Sequence, residues 1–276
     1  MAYREPAFVF NNMIREYGGI TSEKNSGSSI VTPATLRLLT DDFYGNLYTA
    51  EDQITPTDYY TVWYWSNTDS LQPDIFIIPA GHNLEPVEVG VDEKRIWIKT
   101  PAWRSRINIT TSNSEPVVID PLVDDGAGAG GDGQVLIGLD TSLSPTAFTP
   151  SIGEFVLGNK VTLSRGPDPG WTYSRVSQVE RYTTKAGVTS QWLLGRPRKT
   201  WQLTWHNLEA ADLALIDQLY TKASGGGHPF WFLPPDDAHN WTPVELVSDA
   251  EVSNSSRVPL AKQMSEVTLK MIEVMG

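Results

Sequence analysis

The chain has 276 residues, enough for one large or two ordinary domains around a sizeable core. Its formal charge of −12 argues against sequence-independent nucleic-acid binding, which needs clustered Lys and Arg to neutralise phosphates. The absence of cysteine removes disulfides, thiolate metal sites and Cys nucleophiles together, and favours synthesis in the cytosol.

Hydrophobic residues make up 40% of the chain, with 10 Trp, 10 Tyr and 8 Phe, which indicates a packed globular protein. Gly and Pro are plentiful (22 and 19) and only one convincing helix is present, so a mostly β fold with many turns is expected. Residues 1–30 read as an N-terminal arm with aromatic positions Tyr3, Phe8, Phe10 and Tyr17, ordered only against the body of the chain or a neighbouring subunit. They contain no apolar run long enough for a signal peptide or a membrane span.

Residues 31–123 form a β-sandwich-like region of short apolar runs separated by turn residues. Asp41–Asn46 and Ala80–Asn83 read as turns, and Asp74–Ile78, Val87–Val91, Ile96–Lys99 and Arg106–Thr110 as strands. Ile96 and Ile98 face one way while Arg95 and Trp97 face the other, and Ile107 and Ile109 likewise oppose Asn108 and Thr110. Asp124–Gly133, DDGAGAGGDG, lies in a Gly-rich linker or long loop spanning residues 124–150; it has no Lys and does not lead into a helix, so it fails as a phosphate loop.

Residues 151–276 form the second β-rich region. Phe155–Leu163 is followed by a breaker-rich loop, Arg165–Gly170, and Arg175–Thr183 and Gln191–Leu194 read as strands. Arg196, Arg198 and Lys199 read as a solvated strand start. Trp201, Leu203 and Trp205 then alternate with polar residues on one strand. The principal helix is expected at about residues 207–224, capped by Asn207, with Glu209 and Asp212 in its first turns and Leu208, Ala211, Leu215 and Leu219 on its apolar stripe. Gly225–Gly227 ends it, Pro229–Phe232 returns to the core, and Glu266–Val274 is the last strand.

No catalytic, cofactor or metal site emerges from these residues. His228, Asp236, Asp237 and His239 cluster in sequence, but prolines and an aromatic strand separate them and no i, i+4 pairing brings two ligands to one face. Ser190 and Ser224 lack a nucleophile context, and adjacent carboxylates such as Asp41-Asp42 and Asp124-Asp125 diverge on extended backbone. The best binding surface is the run Tyr59–Trp65, in which Tyr60, Val62 and Tyr64 alternate with Tyr59, Trp63 and Trp65. One side suits the core; the other suits a carbohydrate platform, an inter-subunit contact or an inter-sheet layer.

The order Phe155–Leu163, Arg165–Gly170, Gly187-Val188-Thr189 and Arg196–Leu208, leading into the helix and Gly225–Phe232, resembles tail structural proteins of long-tailed bacteriophages, of the distal tail protein type. Thr35–Leu39 and Ala80–Leu84 also resemble the upstream region of such virion proteins; the Gly-rich run at Asp124–Gly133 departs from the pattern. The resemblance implies a non-enzymatic virion component, made in the host cytoplasm, that joins the tail tube to the tip or baseplate as a homo-oligomeric ring, a hexamer in that family. It implies partners among other tail proteins (tube, hub or tip), no membrane, no sequence-specific nucleic acid although DNA passes the lumen, and no cofactor. A galectin-like sandwich outside the ring need not bind sugar. Phe8, Phe10, Tyr59, Trp63 and Trp65 are the expected interface residues; a carbohydrate- or receptor-binding tail module using the aromatic face is the alternative.

Overall fold

The structure is a computed structural model that describes residues 5–16, 22–25, 39, 48–49, 60–66, 73–85, 94–99, 104–110, 112–120, 134–140, 149–177, 179–193, 195–223, 228–235, 240–247, 252–254 and 265–274. The expected features at Asp41–Asn46, Val87–Val91, Asp124–Gly133, Gly225–Gly227, Asp236, Asp237, His239 and Tyr59 lie outside the described residues. The fold is mostly β with one principal helix, in two compact units. Unit 1 is Met1–Phe10 with Val161–Met275, and unit 2 is Asn11–Lys160. Unit 2 is thus inserted between the first and second strands of unit 1, a division that differs from an arm at 1–30 and a linker at 124–150.

The first strand, β1 (Ala7–Val9), belongs to unit 1. Unit 2 follows with a helical turn, α1 (Met13–Glu16), and strands β2 (Ser22–Asn25), β3 (Tyr48–Thr49), β4 (Tyr60–Ser66), β5 (Ile75–Ile78), β6 (Arg95–Lys99), β7 (Arg104–Asn108), β8 (Val117–Ile119), β9 (Gln134–Asp140), β10 (Ser151–Ile152) and β11 (Val156–Gly158). A five-stranded sheet β2-β4-β9-β6-β7 and a three-stranded sheet β11-β5-β8, both antiparallel, contribute to one core. Alternation along β6 and β9 buries Ile96, Ile98, Val135, Ile137 and Leu139 against Phe76, Ile78, Val117, Ile119 and Leu157, a sandwich-like arrangement. Trp63 meets Phe155 edge-on in this core, with ring centroids 5.1 Å apart.

Polar side chains tie the start of unit 2 to its end. Asn12 Nδ2 donates to Glu154 Oε1 (3.0 Å) and to the Phe155 carbonyl (2.8 Å), and Asn11 Oδ1 accepts the Asn159 amide at 3.2 Å. The Lys160 amide donates to Asp74 Oδ1 at 2.5 Å, and Lys160 Nζ pairs with Asp120 at 2.6 Å. The turn at Ala80–Asn83 forms as expected: Gly81 has φ +96°, where a side chain would be strained. Buried His82 donates through Nε2 to the Glu115 carbonyl and accepts the Leu84 amide at Nδ1.

Unit 1 resumes with β12 (Val161–Thr162), β13 (Thr172–Val176), β14 (Val179–Thr183), β15 (Thr189–Leu193), β16 (Arg198–His206), α2 (Ala210–Ala223), β17 (Phe230–Leu233), β18 (Thr242–Leu246), β19 (Val252–Asn254) and β20 (Ser265–Glu273). Its main sheet is antiparallel, ordered β12-β1-β17-β18-β20-β16-β13, with β19 also paired to β20. Trp201, Leu203 and Trp205 of β16 and Val267, Leu269 and Met271 of β20 are buried, as their alternation predicts, and share a core with Phe8, Phe230, Phe232 and α2. The residues of β1 therefore order against the body of the chain: Phe8 stacks on Phe232 with centroids 5.5 Å apart.

The helix departs from expectation at its start and on its buried face. Asn207 is not the cap; it takes a left-handed φ of 57°, tolerated by Asn, and turns the chain out of β16 before the helix begins at Ala210. The Leu213 amide donates to the Glu209 carbonyl, which makes Glu209 the N-cap residue in place of Asn207. The buried stripe is Asp212, Ile216, Leu219 and Ala223, whereas Ala211 is exposed and Leu215 half-buried. Asp212 accounts for the rotation: its Oδ1 accepts the Ser164 amide at 3.0 Å and its Oδ2 the Ser164 hydroxyl at 2.5 Å.

Candidate functional site

The segment Arg175–Thr183, expected as one strand, is two. β13 pairs with β16 from Thr172↔Gln202 to Val176↔Arg198, and β14 pairs with β15 from Val179↔Leu193 to Thr183↔Thr189. The outgoing strands β13 and β14 pair in turn with the returning strands β16 and β15, a ribbon of two ladders that belong to separate sheets. Gly195, between β15 and β16, has φ +87°.

At the tip, the Thr184 amide donates to the Val188 carbonyl (2.9 Å) and the Gly187 amide to the Thr184 carbonyl (2.9 Å). Three residues, Lys185–Gly187, close the loop, and Gly187 at φ +80° supplies the left-handed step of this hairpin type. Thr183 and Thr189 share a hydroxyl hydrogen bond at 3.1 Å across the last pair.

Exposure sets this ribbon apart. Every residue of β13 and β14 is exposed, and so is β15 apart from Ser190. Trp192 is 61% exposed, Tyr182 60% and Leu193 61%, and Tyr173, Val176, Val179 and Val188 complete the large hydrophobic residues found exposed among the described ones. All seven fall between residues 173 and 193. Opposite residues share a face, so Tyr182 and Trp192 lie diagonally on one side of the hairpin and Val179 with Leu193 on the other.

Among the described residues, β14 and β15 pair only with each other, and β13 only with β16, so their remaining edges are open. A two-stranded hairpin is marginal in water by itself, and open edges with apolar side chains are templates for pairing. The ribbon carries Arg175, Arg181 and Lys185 against one acid, Glu180, on a chain of charge −12. Arg175 Nε donates to Tyr173 Oη at 3.1 Å.

The residues expected at an interface are distributed differently. Phe8 is 2% exposed and Trp63 fully buried, each inside the core of its own unit. Phe10 is half-buried against the unit 1 core, and the side chains of Tyr59 and Trp65 lie outside the described residues. Trp63 therefore offers no sugar platform. The exposed pair Tyr182 and Trp192 was missed because alternation tells which residues share a face and not whether that face is covered.

The basic run at the start of β16 is more than a solvated strand start. Arg198 Nε donates to the Glu273 carbonyl at 2.6 Å, its Nη2 reaches Glu245 at 3.0 Å, and Arg196 pairs with Glu273 at 3.5 Å. Asp168 bonds His206 Nδ1 while Glu266 stands 3.6 Å from Nε2, and this pairing raises the His206 pKa, chiefly through the Asp168 hydrogen bond. His206 has a carboxylate on each side. Among the described residues, no group of three or more His, Asp or Glu side chains is placed to hold a metal ion. No helix there is long and apolar enough to cross a membrane. The sequence matches no family model and no curated protein.

Proposed function

We propose that the chain is a structural subunit that assembles with copies of itself through the 172–193 ribbon, and that it serves in a bacteriophage tail as a ring at the distal end, linking the tube to the tip or baseplate. The observation carrying this reading is the concentration of exposed large hydrophobic residues on an open-edged hairpin. Burying side chains such as Trp192, Tyr182 and Leu193 contributes about 1.5–3 kcal/mol each. A partner's strand or surface would also complete the open backbone edges. The basic balance of the ribbon complements an otherwise acidic chain, which favours a second copy as the partner.

The resemblance to distal tail proteins supplies the tail and the ring. A conduit for DNA favours acidic walls that repel the passing polyanion, and the charge of −12 agrees with that. Sedimentation and negative-stain imaging of the full chain test the reading. The expected result is a closed ring for the wild type and a folded monomer for Tyr182→Ser with Trp192→Ser, both exposed positions. A wild type that stays monomeric at high concentration, or a double variant that assembles equally well, refutes it.

A further inference from the structure

A second surface, on unit 2, carries a different chemistry and does not depend on the assembly reading. β6 and β7 read RIWIK and RSRIN: four basic residues and no acid, in a chain with a surplus of acids. Their register is Arg95↔Asn108, Trp97↔Arg106 and Lys99↔Arg104, and on the other side Trp97 stands opposite Gly138 and Lys99 opposite Leu136 of β9. Opposite residues project from one face. Ile96 and Ile98 are buried in the sandwich core, so Arg95, Trp97, Lys99 and Arg106 project outward.

Trp97 is held in place. A Cβ built on Gly138 would meet the indole Cε2, Cζ2 and Nε1 at 2.0, 2.2 and 2.4 Å, so the ring lies across the glycine's bare backbone. Glycine inside a strand weakens it and marks a close approach, here by the indole. One face of the ring is thereby set against the sheet, while the half-buried side chain keeps part of its surface open. Lys99 is half-buried and Arg106 exposed. Arg106 stands directly opposite Trp97 and Lys99 two residues along the same face, which sets both cations beside the indole.

We infer that this face binds an acidic saccharide, with the Trp97 indole stacking on the apolar face of a sugar ring and Lys99 and Arg106 pairing with its carboxylate. A fixed aromatic platform bordered by cations suits such a ligand, because Arg and Lys form charge-assisted hydrogen bonds to carboxylates. A nucleic-acid base would stack on the same ring, but single-strand binding proteins track a backbone along a basic groove with successive aromatic platforms, and the described side chains of this face offer one indole with two cations beside it.

The test is calorimetric titration of the full chain with oligogalacturonate and oligosialate, a neutral galactose oligomer and an oligothymidylate. At least one acidic oligosaccharide binds, the neutral oligomer and the oligothymidylate bind far more weakly, and Lys99→Gln with Arg106→Gln weakens binding by about tenfold or more. Trp97→Ala abolishes binding, and Trp97→Phe, which keeps an aromatic face, retains part of it. The glutamine variants alter polar positions and preserve the fold, so their result stands even if Trp97→Ala unfolds. The inference fails if neither acidic oligosaccharide binds, if the neutral oligomer binds equally, if the glutamine variants bind like wild type, or if oligothymidylate binds more tightly.

Discussion

Trp97 lies so close to Gly138 that a methyl group on the glycine would sit 2.0 Å from the indole Cε2. The obstructing atoms belong to a large, rigid ring. Gly138→Ala therefore forces the indole off the sheet or shifts the β6–β9 pairing, and overpacking of this kind costs about 1–3 kcal/mol. Urea denaturation of the full chain measures it; a midpoint equal to wild type would mean the ring moves aside freely.

The pair Asp212 and Ser164 fixes which face of α2 turns inward. Ser164→Ala removes one hydroxyl donor, and Asp212→Ala leaves the Ser164 amide and hydroxyl without their acceptor. The expected losses are about 1 kcal/mol for the serine variant and up to about 3 kcal/mol for the aspartate variant. Chemical denaturation of both variants and the double variant tests the coupling, which predicts that the double loss falls short of the sum.

Two histidines push stability in opposite directions with pH. His206 has a pKa above its ordinary 6.5, first through its hydrogen bond to Asp168, with the Asp168 and Glu266 charges adding. Its contribution is fully present below 6.5 and is lost as the pH rises through the raised value. Burial lowers the His82 pKa below 6.5, so its contribution is present above 6.5 and is lost as the pH falls through the lowered value. Melting curves across that range for His206→Gln and His82→Gln check both signs: the deficit of the first variant shrinks as pH rises, and that of the second shrinks as pH falls.

Gly187 shapes the tip of the exposed hairpin with φ +80°. An alanine there pays about 1–2 kcal/mol for the left-handed conformation. The cost falls on the hairpin and not on the core, so Gly187→Ala is expected to weaken self-association while leaving the circular dichroism spectrum unchanged. Sedimentation across a concentration series reads the shift.

Much of the fold was legible because its periodicities are local. The alternation of Trp201, Leu203 and Trp205, and of Ile96 and Ile98 against Arg95 and Trp97, is what the structure displays. The unit boundary was hidden because β1 pairs with Val161–Thr162 and with Phe230–Leu233, and no change of composition marks residues 10–11 or 160–161. The helix stripe was misplaced because a buried Asp212 looks, in sequence, like an ordinary first-turn acid. The aromatic run at Tyr59–Trp65 drew attention by density, yet Trp63 is core, while Tyr182, set singly among polar residues, and Trp192, at the head of Trp192-Leu193-Leu194, are exposed.

The position of β1 between β12 and β17 has a consequence for biosynthesis. As the ribosome extends the chain, the earliest strand emerges long before either neighbour exists, and the inserted unit can complete its own sheets first. Phe8 must wait, apolar and uncovered, until Phe232 has been translated. An apolar strand therefore stays unpaired while the whole of the inserted unit is made.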